Sequence, residues 1–171
     1  MKKELDDKIF KEFPQFFKTK GDLQRSLMDF GFDHGDGWFE IVYNLIKDIS
    51  LFLLPEEELE IQQVKSKYGT LRFYSCPSLI KEYSWRLWFI PYCLYRLRNS
   101  LQKLADNIRH NIFHHYTRME QFYNLVIEAE RKTSITCEEC GKPGHLVYIH
   151  IWYYTVCEEH EKELLNDKSY S

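Results

Sequence analysis

Four residues in the last third of the chain have the types and spacing to hold a metal ion. They are Cys137, Cys140, Cys157 and His160, arranged as Cys-x2-Cys, sixteen residues, then Cys-x2-His. A two-residue gap lets both side chains of a pair reach one ion from a single tight turn. Two such pairs supply four soft or borderline ligands, the set that suits one tetrahedral zinc. Gly141 follows the first pair, where a left-handed backbone turns amide N–H groups toward the thiolates. The chain has five cysteines and no secretion signal, which argues against a disulfide framework. Four protein ligands leave no open position, so the expected Zn2+ is structural.

The elements that must position these ligands can be read around them. Cys157-Glu-Glu-His160 reads as a helix start, with acids in the first turn and apolar residues after it. Between the pairs, Leu146–Ile149 and Trp152–Val156 are rich in strand formers. Knuckle, hairpin and ligand-bearing helix are the layout of a treble clef. The other histidines say less. His34, His145 and His150 are isolated and read as surface or packing residues. His110, His114 and His115 place an i, i+4 pair on a helix but lack the acid of an HExxH arrangement.

Upstream, residues 4–18 read as an amphipathic helix broken near Pro14, and 22–30 as a second helix. A glycine-rich turn, Asp33 to Trp38, follows, with Asp36 as the expected N-cap. Trp38, Val42, Leu45, Ile49 and Leu53 then recur at helical spacing and predict a core-facing helix with Trp38 buried. Pro55 stops it, and Glu56 to Glu60 read as a solvated acidic run. Ile61–Ser66 and Thr70–Ser75 form a hairpin around Tyr68-Gly69, with Gly69 the left-handed residue of a three- or four-residue loop. The four-residue register sets Lys65 opposite Arg72, for which an anionic partner is one explanation; the three-residue register separates the two charges. Both registers stay open.

From Ser78 to Lys132 the pattern is helical, interrupted at Pro91. Apolar residues at 94, 97, 101, 104, 108, 112, 119, 122, 126 and 129 make a seam. As one helix, 92–131 would run ~60 Å, too long for a small domain, so it must project, break near Asn107–Asn111, or pack on a partner. Between Lys81 and Arg118 the net charge is +5, against −3 for the whole chain, and Tyr83, Trp85, Trp88, Phe89, Tyr92 and Tyr95 crowd the first half.

The chain has 171 residues, 44% hydrophobic and 29% charged, enough to bury one core. The predicted fold class is α+β: helices on a small antiparallel hairpin, a long helical segment and a C-terminal treble-clef-like zinc site. The expected parts are 1–77, 78–132 and 133–171 within one compact unit. The acidic balance excludes a protein that grips nucleic acid over its whole surface. Met1 to Asp7 lead into no apolar h-region and no run approaches a bilayer span, which predicts the cytosol.

Three segments together resemble small uncharacterised proteins of bacteriophages and prophages. They are Gly35-Asp-Gly-Trp38 before an apolar helix, Val64-Lys-Ser-Lys-Tyr-Gly-Thr-Leu-Arg-Phe-Tyr74, and Cys137-Glu-Glu-Cys-Gly-Lys-Pro-Gly144 with its late Cys-x2-His. The likeness covers about 5–76 and 117–163, and roughly 78–116 reads as an insertion. It implies a zinc-containing phage accessory protein working in the bacterial host cytosol, and brings no mechanism with it.

The function expected from these features is non-enzymatic binding. The zinc stiffens the C-terminal part, and the basic, aromatic segment 78–118 meets a host protein or a second copy of the chain. An inhibitor of host defence fits that frame. The surface would involve Lys65, Arg72, Trp85, Trp88, Arg96, Arg98, Lys103 and Arg109. Nucleic acid is the alternative partner for the basic helices. A metal-dependent nuclease built on a treble clef, with His145 or His150 as base, is a third reading, but the sixteen-residue gap is nearly all hairpin. Interfacial membrane binding by Trp85–Arg98 is weaker, because Pro91 interrupts the helix.

Overall fold

The computed structural model describes residues 1–77 and 102–166, and the side chains among them except those of 77 and 102–117. The fold is α+β, with helices and two separate antiparallel hairpins. Helix α1 spans Lys3–Glu12, and Pro14 opens a single 3-10 turn, Pro14–Phe16, as its fixed φ favours. The expected helix over 22–30 is not one: only Met28–Phe30 forms a 3-10 turn. The backbone here is drawn instead onto the first hairpin. Leu27 N–H donates to Gln62 O (2.8 Å), Asp33 N–H to Val64 O (3.0 Å), and Ser66 N–H to Asp33 O (2.7 Å). A free sheet edge outcompetes a short local helix for these groups.

A 3-10 turn, Asp36–Trp38, leads into α2, Phe39–Phe52. Asp36 does not cap it. Its carboxylate accepts the Lys2 N–H (2.7 Å) and pairs with the Lys2 ammonium (2.8 Å). The predicted stripe faces inward, and Trp38, Val42, Leu45 and Ile49 are all buried. Leu53 lies past the helix end, where the chain turns extended.

The first hairpin pairs β1 (Leu59–Lys67) with β2 (Thr70–Pro77), burying Leu59, Ile61, Val64 and Leu71. A bulge between Ile61 and Gln63 shifts the inward phase, so that Val64 rather than Gln63 faces the core. The loop is shorter than expected. Lys67 pairs with Thr70, leaving only Tyr68 (φ 56°) and Gly69 (φ 72°), both left-handed as in a type I′ turn.

Helix α3, Gln102–Thr133, is continuous through Asn107–Asn111, so of the three alternatives the break there does not occur, and at 32 residues it runs ~48 Å. Its C-terminal half buries Phe122, Val126 and Ala129 against α2 and β2. The acidic run Glu56 to Glu60 is not merely solvated. Glu57 receives the Arg118 guanidinium (Nε to Oε1, 2.8 Å), Glu58 pairs with Lys18 (3.1 Å), and Glu60 accepts the Thr19 N–H (2.7 Å). These carboxylates tie α1's exit and α3 to the start of the sheet. The second hairpin, β3 (His145–Ile149) with β4 (Trp152–Val156), leads into α4, Glu158–Asn166. Among the described residues no helix is long and apolar enough to cross a membrane.

Candidate metal centre

The backbone brings the four predicted residues to one point. Ligand atoms of Cys137, Cys140, Cys157 and His160 all lie within 4.8 Å of one another and could bind a metal ion. The first pair sits on a knuckle. Gly141, at φ 73°, lets its N–H return to Cys137 O (2.9 Å), and Cys137 N–H donates to Lys142 O (2.7 Å). Any side chain there would force a left-handed backbone that costs little only for glycine. The second pair sits at the start of α4, where Glu161 N–H bonds Cys157 O (2.9 Å) and places His160 one turn in.

The ligand atoms face each other. Cys140 Sγ is 3.8 Å from Cys157 Sγ, and His160 Nδ1 is 3.5 Å from Cys137 Sγ and 3.2 Å from Cys157 Sγ. The imidazole turns its other nitrogen outward, with Nε2 3.8 Å from Glu163 Oε2, an outer partner of the kind that orients a ligating histidine. The Cys157 thiol is pulled down to about 6, first by the His160 backbone N–H and then by the imidazole itself. The start of a helix favours a thiolate in the same sense. Lys142 closes the module from outside by pairing with Glu159 (2.9 Å).

Sequence reasoning missed how this module is mounted. Glu138, between the two knuckle cysteines, is buried and joins three segments at once. Its Oε1 accepts Gly35 N–H (3.2 Å), its Oε2 accepts Ser66 Oγ–H (2.9 Å), and its carbonyl accepts Gly37 N–H (2.7 Å). Burial pushes its carboxyl up, and the two donors only partly offset this. Gly37 lies flush on the knuckle, where a Cβ would collide with Cys137 O and Gly141 N and stand 2.7 Å from Cys140 N. Trp38 Nε1–H donates to Thr136 O (2.7 Å). On the other side Thr155 Oγ–H donates to Gly69 O (2.5 Å), so the tip of the first hairpin rests on the second. The three segments Gly35–Trp38, Val64–Tyr74 and Cys137–Gly144 therefore meet in one joint. Their joint occurrence in the sequence was the available signal.

The remaining candidates fare differently. Lys65 does face Arg72. The clash is relieved inside the chain: Arg72 reaches Glu130 of α3 (3.5 Å), and the Lys65 ammonium lies over the Tyr74 ring (5.4 Å). An anionic partner is not required. Trp85, Trp88, Arg96 and Arg98 lie outside the described residues, as does most of the 78–118 segment. Lys103 and Arg109 fall on α3 without described side chains. Arg118 is committed to Glu57 and to Phe52 O (3.0 Å). His145 pairs with Glu161 (3.1 Å) on the module's surface, and His150 occupies the tip of the second hairpin. His34 is buried, a packing residue between Phe32 and Trp38.

No protein-family model matches the chain, and comparisons with curated proteins and with solved structures returned no match either.

Proposed function

We propose that Cys137, Cys140, Cys157 and His160 hold one structural zinc ion in a non-enzymatic binding protein. The observation that carries this is the fit of the ligand spacings to one ion. Around a tetrahedral zinc, bonds of ~2.3 Å to sulfur and ~2.0 Å to nitrogen separate two sulfurs by ~3.8 Å and a sulfur from the nitrogen by ~3.5 Å. The chain sets Cys140 and Cys157 sulfurs 3.8 Å apart and the nitrogen 3.5 and 3.2 Å from two sulfurs. Three thiolates and an imidazole suit zinc over harder ions. With four protein ligands, none of the ion's positions remains for a substrate.

The partner we assign is a protein. The two hairpin tips together display Tyr68, Tyr148, Trp152 and Tyr153, and Ile151 is 78% exposed. Aromatic residues of this kind anchor interfaces. The resemblance to phage accessory proteins points to a host protein, a defence or regulatory enzyme, with segment 78–118 extending the contact or joining two copies. A second reading has one specific support. Lys67, like Lys65, lies over an exposed tyrosine (5.2 Å from the Tyr68 ring), an arrangement that also suits single-stranded nucleic acid.

Elemental analysis of metal-replete protein should give one zinc per chain, and a content under ~0.2 overturns the metal assignment. Light scattering, lysate capture with and without residues 80–115, and a low-salt nucleic-acid shift assay then separate self-association, a protein partner and nucleic acid. A monomer that retains no protein and shifts no nucleic acid would sink the binding reading.

A further inference from the structure

Strand β3, His145–Ile149, is paired on one side only. Its two-residue turn makes Ile149 and Trp152 a hydrogen-bonded pair, so Val147 and His145 also bond to β4. Leu146 and Tyr148 alternate with them, and their N–H and C=O groups point away from β4. The opposite edge of the hairpin follows the same alternation. Thr155, across from Leu146, turns its C=O outward and accepts the Glu138 N–H (2.8 Å). Strand β1 is bonded on its outer side as well, by Leu27 and Asp33. Among the described residues no backbone group bonds Leu146 or Tyr148 from outside. The β3 strand itself lacks the usual guards of an open edge. Its register holds no bulge, and its five residues include no proline, lysine or acid.

The two faces beside this edge differ in chemistry. Leu146 and Tyr148 are 54% and 61% exposed. Tyr148 continues a row of rings through Tyr153 (4.8 Å) to Tyr68 (6.3 Å), so this face is aromatic. On the other face Val147 and Leu164 of α4 pack on Cys137, Val156 and Cys157. There His145 Nε2 meets Glu161 Oε2 (3.1 Å). Helix α4 carries four glutamates against one lysine, so this face is acidic.

We infer that the β3 edge receives an extended segment of the protein partner, apolar on the Tyr148 face and basic on the α4 face. The N–H and C=O groups of Leu146 and Tyr148 supply two donors and two acceptors for its backbone. Side chains alternate across a strand, so a segment alternating apolar and basic residues meets the ring row on one face and the glutamates on the other. An acidic segment would meet like charge. A second copy pairing through its own β3 would meet it too. The two-fold axis between antiparallel copies would set both α4 helices on the same face of a four-stranded sheet. The inference rests on the protein-binding reading above and names how that partner is held.

The test uses the full zinc-loaded chain, labelled with 15N, and follows its backbone amides by NMR. The probe is an acetylated, amidated heptapeptide that alternates lysine and valine. One control holds the same residues in two blocks, and the other has glutamate in place of lysine. Saturable binding of the alternating peptide should slow hydrogen exchange at the Leu146 and Tyr148 amides roughly tenfold or more, and neither control should. Tyr148→Pro removes an outward N–H without breaking a bond to β4, and Tyr148→Lys keeps the backbone but places a charge on the apolar face. Each should weaken the peptide roughly tenfold with a thermal midpoint near that of the natural chain. Glu161→Gln should weaken it several-fold. No slowing at these amides, equal slowing by either control, or unchanged affinity in Tyr148→Lys overturns the inference. Slow exchange at both amides in the chain alone, with a dimeric mass in light scattering, gives the edge to a second copy and also overturns it. A chain that pairs with no peptide, yet captures a lysate protein equally well as Tyr148→Lys, loses this inference and keeps the binding reading. Peptide pairing by a chain that captures no lysate protein leaves the edge's preference as inferred and removes the host-protein reading.

Discussion

At the scale of single residues, the clustering of Cys137, Cys140, Cys157 and His160 was legible because its chemistry is local: each pair is set by a two-residue gap. The residues that mount the centre were not. Glu138 looks like any acid between two cysteines until Gly35 and Ser66, from distant parts of the chain, close on its two oxygens. His34 looked like one of three bland histidines, yet it is the only one of them that is buried. Its burial has a consequence for stability. The imidazole's folded value near 4 lies below its ordinary value of 6.5, chiefly through loss of solvent. The Gly35 carbonyl, Asp33 and Asp36 pull it up, and the terminal amine pushes it down. Between those two values the unfolded chain binds the extra proton, so stability falls as pH drops through that window and is unaffected above it. The expected loss from this group is about 2 kcal/mol between pH 7 and pH 5. Glu138 and Asp6, whose carboxyls are raised by burial, act in the opposite sense. Urea unfolding at the two pH values should therefore be compared between the natural chain and His34→Phe. The variant should lose about 2 kcal/mol less, and equal losses would show that His34 does not titrate as described.

At the scale of elements, what the sequence left open was settled by partners far along the chain. The stretch 22–30 has helical apolar spacing, but β1 offers its backbone better bonds. The hairpin register that sets Lys65 against Arg72 is tolerable because Glu130 of α3 supplies the opposite charge. Neither fact is visible within a local window. The second hairpin carries a different tension. Its two-residue turn places His150 at φ 49° and Ile151 at φ 68°, a left-handed conformation that a β-branched side chain strongly resists. Ile151 is at the same time the most exposed of the large apolar residues at the two tips. A turn strained for the sake of an exposed side chain is the pattern expected of a contact point rather than of a stability element. Replacing His150-Ile151 by Asn-Gly, which suits a type I′ turn, should raise stability by about 1 kcal/mol or more in thermal unfolding. If the proposed protein partner docks on the hairpin tips, the same variant should weaken its capture. A variant that is less stable would mean that Ile151 is held by packing rather than strained.

At the scale of the whole molecule, the metal module and the helical body share one joint. Gly37 has no room for a side chain above the knuckle, Trp38 reaches across to Thr136, and Thr155 holds the tip of the first hairpin. Buried Thr133, at the end of α3, accepts the Leu71 N–H (3.1 Å), so the helix that leads to the module is fastened to β2 as well. The core of Trp38, Val42, Ile46 and Phe122 therefore borders the knuckle instead of standing apart from it. If the module folded alone, stripping the ion would melt only residues near 135–166. Because metal binding and folding are linked, and because the linkage passes through Glu138 and Trp38, the loss should spread. Treatment with a strong chelator, or Cys140→Ser, should lower the thermal midpoint of a single transition. In hydrogen exchange it should also speed exchange of the α2 amides. Faster exchange confined to the knuckle, the second hairpin and α4, with α2 unchanged, would show that the joint transmits nothing. The ion would then stabilise its own module alone.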